Sequence, residues 1–294
     1  MSPGTSRRSD PAEDLVKPHT ASGVGSVTVE VIADGTSQRG TDAVALEEPL
    51  EIRLTHGPDD RRAELQMAVT MRTPGDDTAL ALGFLHGEGV IHSPGDVISV
   101  ETVAENVVAV GLAPAVGLDP ESFKRNTYTT SSCGICGKAS IEAVHVHVPD
   151  RAGEDAFAID SRTLGGIPAA LRSRQDAFDQ TGGIHAAATF DPDGQVERVA
   201  EDVGRHNALD KLIGGYFADG RLPLTERGLL FSGRASFELI QKAAMAGCPF
   251  VAAIGPPSSL AVELAAEQRM TLVGFLREDR CNVYTLPHRL RAQG

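Results

Sequence analysis

The stretch Gly228–Leu276, GLLFSGRASFELIQKAAMAGCPFVAAIGPPSSLAVELAAEQRMTLVGFL, sets the fold class. GLLFSG is an apolar run without alternation, the pattern of a strand buried on both faces of a parallel sheet. A helix (FELIQKAAMAG), a strand (PFVAAIG), a second helix (SSLAVELAAEQ) and a third strand (TLVGFL) follow, ahead of a last strand, CNVYTL. Strand–helix–strand–helix–strand implies an α/β sheet with right-handed crossovers.

Working back from this core, HAAATFD and VERVAEDV read as a strand pair around the turn Asp191-Pro-Asp-Gly194. RHNALDKLIGGYF places Ala208, Leu209, Leu212, Ile213 and Tyr216 on one helical stripe. GIPAALRSRQDAF is helical, and IEAVHVHV alternates as a strand. Further upstream VTVEVI, LEIRL and ELQMAVTM read as strands, the last two parted by THGPDD. Pro74-Gly-Asp-Asp77 opens a helix through TALALGFLHGEG, which Gly87 and Gly89 are placed to stop. ISVETVAENVVAVGL suggests a hairpin. Three parts are therefore expected: a disordered tail over residues 1–24, a small α+β subdomain over 25–125, and an α/β domain over 126–294. There is no internal repeat.

Composition narrows the function classes. The 294 residues are 41% apolar and 23% charged, ordinary for a soluble globular chain. Trp is absent and aromatics are 4%, so aliphatic residues must fill the interior. A formal charge of −13, with no local run of Lys and Arg, argues against a general nucleic-acid binder. One nucleotide in a local basic pocket remains compatible with it. The N-terminus has no apolar signal segment, and no stretch approaches the roughly 18 apolar residues of a membrane span. A cytoplasmic location is the expectation, and thiols stay reduced there.

That bears on TTSSCGICGK (Thr129–Lys138), which holds two of the four cysteines. A structural zinc site needs four ligands, but Cys248 and Cys281 stand alone in strand-like segments. His145 and His147 share a strand face and are the remaining candidates, with surface placement as the plainer account. No metal site is expected. A thioredoxin-like pair would follow a strand, whereas Cys133 follows the Thr/Ser run TYTTSS, which reads as a mobile loop. A helix opening at Lys138-Ala-Ser-Ile would lower the pKa of a thiol just ahead of it. A zinc deaminase needs His-x-Glu, but His185 is followed by Ala186 and Ala187. What remains is an activated thiolate on a loop, suited to passing an atom between partners.

Three further junctions carry polar residues. FSGRAS (Phe231–Ser236) and IGPPSS (Ile254–Ser259) leave strands for helices, where anions and nucleotides bind. Tight turns with capped helices account for both equally well. EDVGRHNALDK (Glu201–Lys211) gathers charges at one helix start. Arg205 or Lys211 could meet phosphate there, or the group could be an ion network. GFLREDR (Gly274–Arg280) ends a strand with Arg277 and Arg280 flanking two acids. Carboxylates can accept from the N1–H and amino group of guanine, while arginines hold phosphates.

Taken in order, EEPLEIRL, MRTPGDDTALALGFLHGEGVI, SSCGICG, TGGIHAAATFD, EDVGRHNALDKLIG, SGRASFELIQKAAMAG, PPSSLAVELA and TLVGFLREDRCNVYT resemble the formate dehydrogenase accessory sulfurtransferase (FdhD) family, from about Val27 to Leu290. The resemblance implies a cytidine-deaminase-like α/β core with a smaller α+β subdomain, in a homodimer. It implies a sulfurtransferase that takes persulfide sulfur from a cysteine desulfurase. The sulfur goes to the bis(molybdopterin guanine dinucleotide) cofactor of molybdenum or tungsten, the client being formate dehydrogenase. By the same resemblance the persulfide cysteine is Cys133, and Phe275, Leu276, Arg277, Glu278, Asp279 and Arg280 bind the cofactor, hence guanine nucleotides. Cys281 departs from the larger apolar residue expected there. A guanine-dinucleotide chaperone without covalent sulfur, and a zinc-dependent deaminase, are the alternatives.

Overall fold

The protein is described from a computed structural model, over residues 17–19, 23–118 and 157–292. Cys133, Cys136, His145, His147, the IEAVHVHV segment and the expected 125/126 boundary lie outside these residues.

The chain begins with β1 (Lys17–His19), which pairs antiparallel with β2 (Val24–Ala33), and β2 pairs in turn with β3 (Thr36–Ala45). β1 falls inside the stretch expected to have no regular structure. The β2–β3 turn is Asp34-Gly35, both at positive φ, as a two-residue hairpin turn requires. A second sheet combines β4 (Glu48–His56), β5 (Ala63–Arg72), β6 (Val97–Ala104) and β7 (Val107–Leu112) in the order β5-β4-β7-β6. Leu50, Ile52, Leu54, Met67, Val108 and Val110 face one side of it and are buried with Leu80, Leu82 and Leu85 of α1 (Asp77–Gly87).

Gly89, at φ 72, turns the chain after α1. Gly87 is instead the last helical residue, and its bare Cα leaves room for the Lys242 ammonium, 2.9 Å from where a Cβ would stand.

The main sheet follows β8 (Ile159–Asp160), α2 (Ser161–Arg172) and α3 (Asp176–Thr181). Two helices thus replace the single one expected over GIPAALRSRQDAF, with Glu201 accepting from the first amides of α3 (Ala177 and Phe178, both 3.0 Å). The sheet contains β9 (His185–Phe190), β10 (Val196–Asp202), β11 (Gly228–Phe231), β12 (Phe250–Ala253), β13 (Thr271–Gly274) and β14 (Asn282–Thr285). Their order is β10-β9-β11-β12-β13-β14, with β11, β12 and β13 parallel and the remaining pairings antiparallel. A short β15 (Leu290–Arg291) returns to pair with β8.

α4 (Arg205–Ala218), α5 (Phe237–Met245) and α6 (Ser259–Glu267) cover one face of this sheet, and α2 covers the other. Successive residues of β11 therefore bury on opposite sides, Leu229 and Phe231 toward α4–α6 and Leu230 toward α2. That two-sided burial is why the strand shows no alternation.

The small sheet and the main sheet meet where α1 crosses α4. A Cβ at Gly83 would lie 1.9 Å from the Asp210 carbonyl oxygen, and one at Gly214 would lie 1.8 Å from that of Ala79. The two backbones touch through glycine alone. Beside the crossing, the fully buried Asp202 accepts from Thr73 N (3.1 Å), Gly204 N (2.8 Å), Asn207 Nδ2 (3.1 Å) and Lys211 Nζ (2.8 Å). Lys211 also donates to Thr73 O, and Asn207 to Met71 O. Asp202, Asn207 and Lys211 are thus each bonded both to one another and across to Thr73 or Met71, and such complete pairing is the condition for a buried ion pair to persist.

Candidate functional site at the carboxyl edge of the main sheet

Strand direction gathers the candidate residues. β11, β12 and β13 run parallel, so Ser232–Ser236, Ile254–Ser258 and Phe275–Arg280 leave the same edge of the sheet. β9 runs antiparallel to β11 and β10, so His185 at its start and Arg205 after the end of β10 reach that edge as well. Carboxyl edges of open α/β sheets are the ordinary place for nucleotide sites.

The three loops are bound side by side. Gly255 N donates to Gly233 O (2.9 Å), Phe275 N to Gly255 O (3.1 Å), and Ser258 N to Ala235 O (3.0 Å). A Cβ at Gly255 would stand 2.9 Å from Gly233 O, so glycine is what lets the first two loops close up.

The third loop is the segment expected to hold the cofactor. Phe275 is exposed and takes φ 53. Leu276 is buried among Phe250, Ala252 and Val273, so its side chain anchors the loop in the core. Arg277 Nη1 donates to Ile254 O (2.9 Å) and Leu276 O (2.7 Å), and its amide closes a turn to Arg280 O (2.7 Å). The Arg277 guanidinium thus shapes the loop. Glu278, Asp279 and Arg280 are exposed.

With Ser161, Arg162 and Cys281, the residues from Leu276 to Arg280 line a pocket of 540 Å³, a size that suits a small-molecule ligand. Ser161 and Arg162 come from the start of α2 and had no signal in the sequence. α2 approaches the loop so closely that a Cβ at Gly165 would lie 2.1 Å from Glu278 O. Burial pushes the Cys281 thiol up, so it is not an activated nucleophile.

The first loop carries a separate, cationic group. His206 Nε2 stands 3.3 Å from Ser236 Oγ and 3.8 Å from Glu238. Burial alone would raise the Glu238 carboxyl, but hydrogen bonds from His206, its own amide and Ser236 outweigh that and hold it at about 2. His185 packs on Gly233, where a Cβ would meet its ring at 3.3 Å. Burial, then Arg205, His206 and Arg234, push its imidazole below the usual range.

EDVGRHNALDK therefore divides. Asp202, Asn207 and Lys211 form the inter-sheet link. Asp210 pairs with Lys242 at 2.8 Å rather than with His206, and Asp210, Glu88 and Glu238 keep the buried Lys242 ammonium charged against the cost of burial. Arg205 and His206 alone face the carboxyl edge.

Among the described residues no three His, Cys, Asp or Glu side chains converge as metal ligands. Cys248 is buried just ahead of β12 and Cys281 just ahead of β14, so both precede the strands expected to contain them. No described helix is long and apolar enough to cross a membrane.

The fold and this edge define a mixed-sheet α/β protein with a pocket beside the adjoining loops. The chain belongs to the FdhD/NarQ family, whose model matches residues 45–291. It is 48% identical over 269 residues to the sulfur carrier protein FdhD of Streptomyces avermitilis, covering 88% of this chain and 93% of that one. The Mycobacterium tuberculosis protein of the same name is 47% identical over 261 residues, covering 85% and 92%. A crystal structure from Desulfotalea psychrophila, described as that of a formate dehydrogenase accessory protein, superposes with a TM-score of 0.70. It covers 90% of this chain and 98% of its own at 23% identity, a likeness of fold.

Proposed function

We propose that this chain is a sulfur carrier serving the maturation of formate dehydrogenase. The observation that carries the reading is 47–48% identity, over most of both chains, to relatives named for sulfur carriage. In this reading the Cys133 thiolate attacks the outer sulfur of a persulfide on a cysteine desulfurase. A new S–S bond forms at Cys133, the donor's S–S bond breaks, and the donor cysteine leaves as a thiolate. In the second transfer the outer sulfur of Cys133–S–SH would pass to the metal of the bis(molybdopterin guanine dinucleotide) cofactor, which is the substrate: the S–S bond breaks, Cys133 leaves as a thiolate, and the substrate metal in its reduced state supplies the two electrons that take the sulfur to the sulfide level. Cys136 resolves or protects the persulfide.

The cofactor's guanine end is assigned to the Phe275–Arg280 loop. The support is the pocket beside it and the exposed carboxylates of Glu278 and Asp279, which can accept from the guanine N1–H and amino group. The six-stranded sheet is read as a cytidine-deaminase-like scaffold without deaminase chemistry. In support, Ala186 and Ala187, which follow His185 on β9, are both buried in the sheet and supply no proton shuttle. The reading further places the protein in the cytoplasm as a homodimer, and sedimentation equilibrium checks the second point.

The decisive experiment supplies a cysteine desulfurase and cysteine to the wild type, Cys133→Ala and Cys136→Ala, and measures persulfide by mass shift and client formate dehydrogenase activity. Both signals are expected to vanish in Cys133→Ala and to survive at least in part in Cys136→Ala. Full client activity in Cys133→Ala would remove that residue from the pathway and favour a chaperone that carries no sulfur.

A further inference from the structure

A second cavity, of 330 Å³, opens beside the inter-sheet link, two of whose members, Thr73 and Lys211, line it. That volume suits a small metabolite. Part of the wall is apolar, from Ala177 of α3, Ile184 ahead of β9 and Val199 of β10. The rest is polar, and two of its charged groups are already committed. Lys211 is bonded to Asp202, Thr73 O and Glu201 O, and Glu201 accepts from the first amides of α3.

Two lining charges are left over. Asp76 is exposed and stands at the N-cap position of α1 without making a capping bond. Its carboxylate has no hydrogen bond or ion pair among the described residues. Arg174 donates through Nη1 to Val196 O and through Nη2 to Glu197 O (3.3 Å), but it meets no carboxylate among the described residues. A guanidinium has five N–H donors, so three of its donors remain. Left to themselves the two charges would close on each other. They do not, because Arg174 is tied to the start of β10 while Asp76 belongs to the loop ahead of α1. Gln175, between the lining residues Arg174 and Ala177, is 4% exposed and its side-chain nitrogen has no partner. Buried donors without acceptors are rare enough that each calls for an explanation.

We propose that this cavity binds a free α-amino acid with an apolar side chain. Its ammonium meets Asp76, its carboxylate meets Arg174, and its side chain lies against Ala177, Ile184 and Val199. Opposite charges held apart on one cavity wall match a ligand that carries both charges itself. An anion alone would leave Asp76 unmatched, and a cation alone would leave Arg174 so. The planar guanidinium fork is suited to a carboxylate, and the Gln175 amide on the same connection is a donor that such a carboxylate satisfies. The inference does not depend on sulfur carriage.

Calorimetry on the full chain with L-valine, isobutylamine and isovalerate tests it, the last two being valine without its carboxylate and without its ammonium. Valine is expected to bind at least tenfold more tightly than either. Asp76 takes φ 54, which asparagine also tolerates, and its side chain holds nothing in place, so Asp76→Asn leaves the fold undisturbed. It should weaken valine about tenfold and leave isovalerate unchanged. Arg174→Gln should weaken valine by a similar factor and leave isobutylamine unchanged. If Arg174→Gln fails to fold, the Asp76→Asn result decides alone. No valine binding by the wild type, isovalerate or isobutylamine binding as tightly as valine, or full valine affinity in Asp76→Asn would each overturn the site.

Discussion

Two loops leave neighbouring parallel strands in the same way, each with a glycine in second place and a serine at the helix start, yet they are finished differently. In Ile254–Ser258 the Ser258 hydroxyl accepts from Ala261 N and caps its own helix, and two prolines stiffen the turn. In Ser232–Ser236 the equivalent serine makes no capping bond. Its hydroxyl lies beside His206, and an arginine stands where the other loop has proline. One loop satisfies itself, and the other is tied into a cationic group from a third element. The difference separates a turn that caps its own helix from one held by a neighbouring element.

The comparison breaks most severely from beneath the first loop. His206 and Arg205 are positioned by the start of α4, which Asp202 anchors across the sheet junction. Asp202→Ala would strand the Lys211 ammonium in the interior and should cost about 3–5 kcal/mol in urea unfolding. A loss under 1 kcal/mol would show that the link is not what holds the helix.

Acid titration gives a smaller effect specific to the first loop. The Glu238 carboxyl is depressed from its ordinary 4.5 to about 2, so the folded state gains stability above pH 4.5 and loses it as pH falls toward 2. With screening at this partly buried site, Glu238→Gln should be less stable than wild type by roughly 1–2 kcal/mol at pH 6, the gap closing by pH 2. A gap that stays constant with pH would disconnect Glu238 from His206.

The smallest effect sharpens the contrast directly. Ser258→Ala should cost about 1 kcal/mol through loss of its cap, and Ser236→Ala less than half of that. Equal losses would mean that the two serines do the same work.

Local patterns made much of this architecture legible. The unpatterned runs GLLF, FVAA and TLVG became the three parallel strands, and the stripe from Ala208 to Tyr216 is buried as spaced. β3 was missed because TSQRGTDAVA lacks apolar alternation, though Asp34-Gly35 between two strands carried the hairpin signal. The split of α2 from α3 depends on Glu201, more than twenty residues away.

At the site, the charged residues of Glu201–Lys211 were visible but their allegiance was not. Asp202, Asn207 and Lys211 find partners at Met71 and Thr73, a separation no local pattern encodes. Likewise, the family resemblance placed Leu276 among ligand-binding residues, while only the packing shows its side chain in the core.

The glycine crossing of α1 and α4 has a consequence for how the chain can be divided. Helices in backbone contact at Gly83 and Gly214 have no side-chain layer between them to yield, so the seam cannot slide or be padded. Phe217 of α4 is buried in the core of the small sheet, so severing the two parts would expose it together with the bare glycine faces. Neither half is expected to fold as a self-sufficient fragment. Unfolding is therefore expected to be a single transition across both sheets, and loss of either half should remove the support on which the carboxyl edge stands.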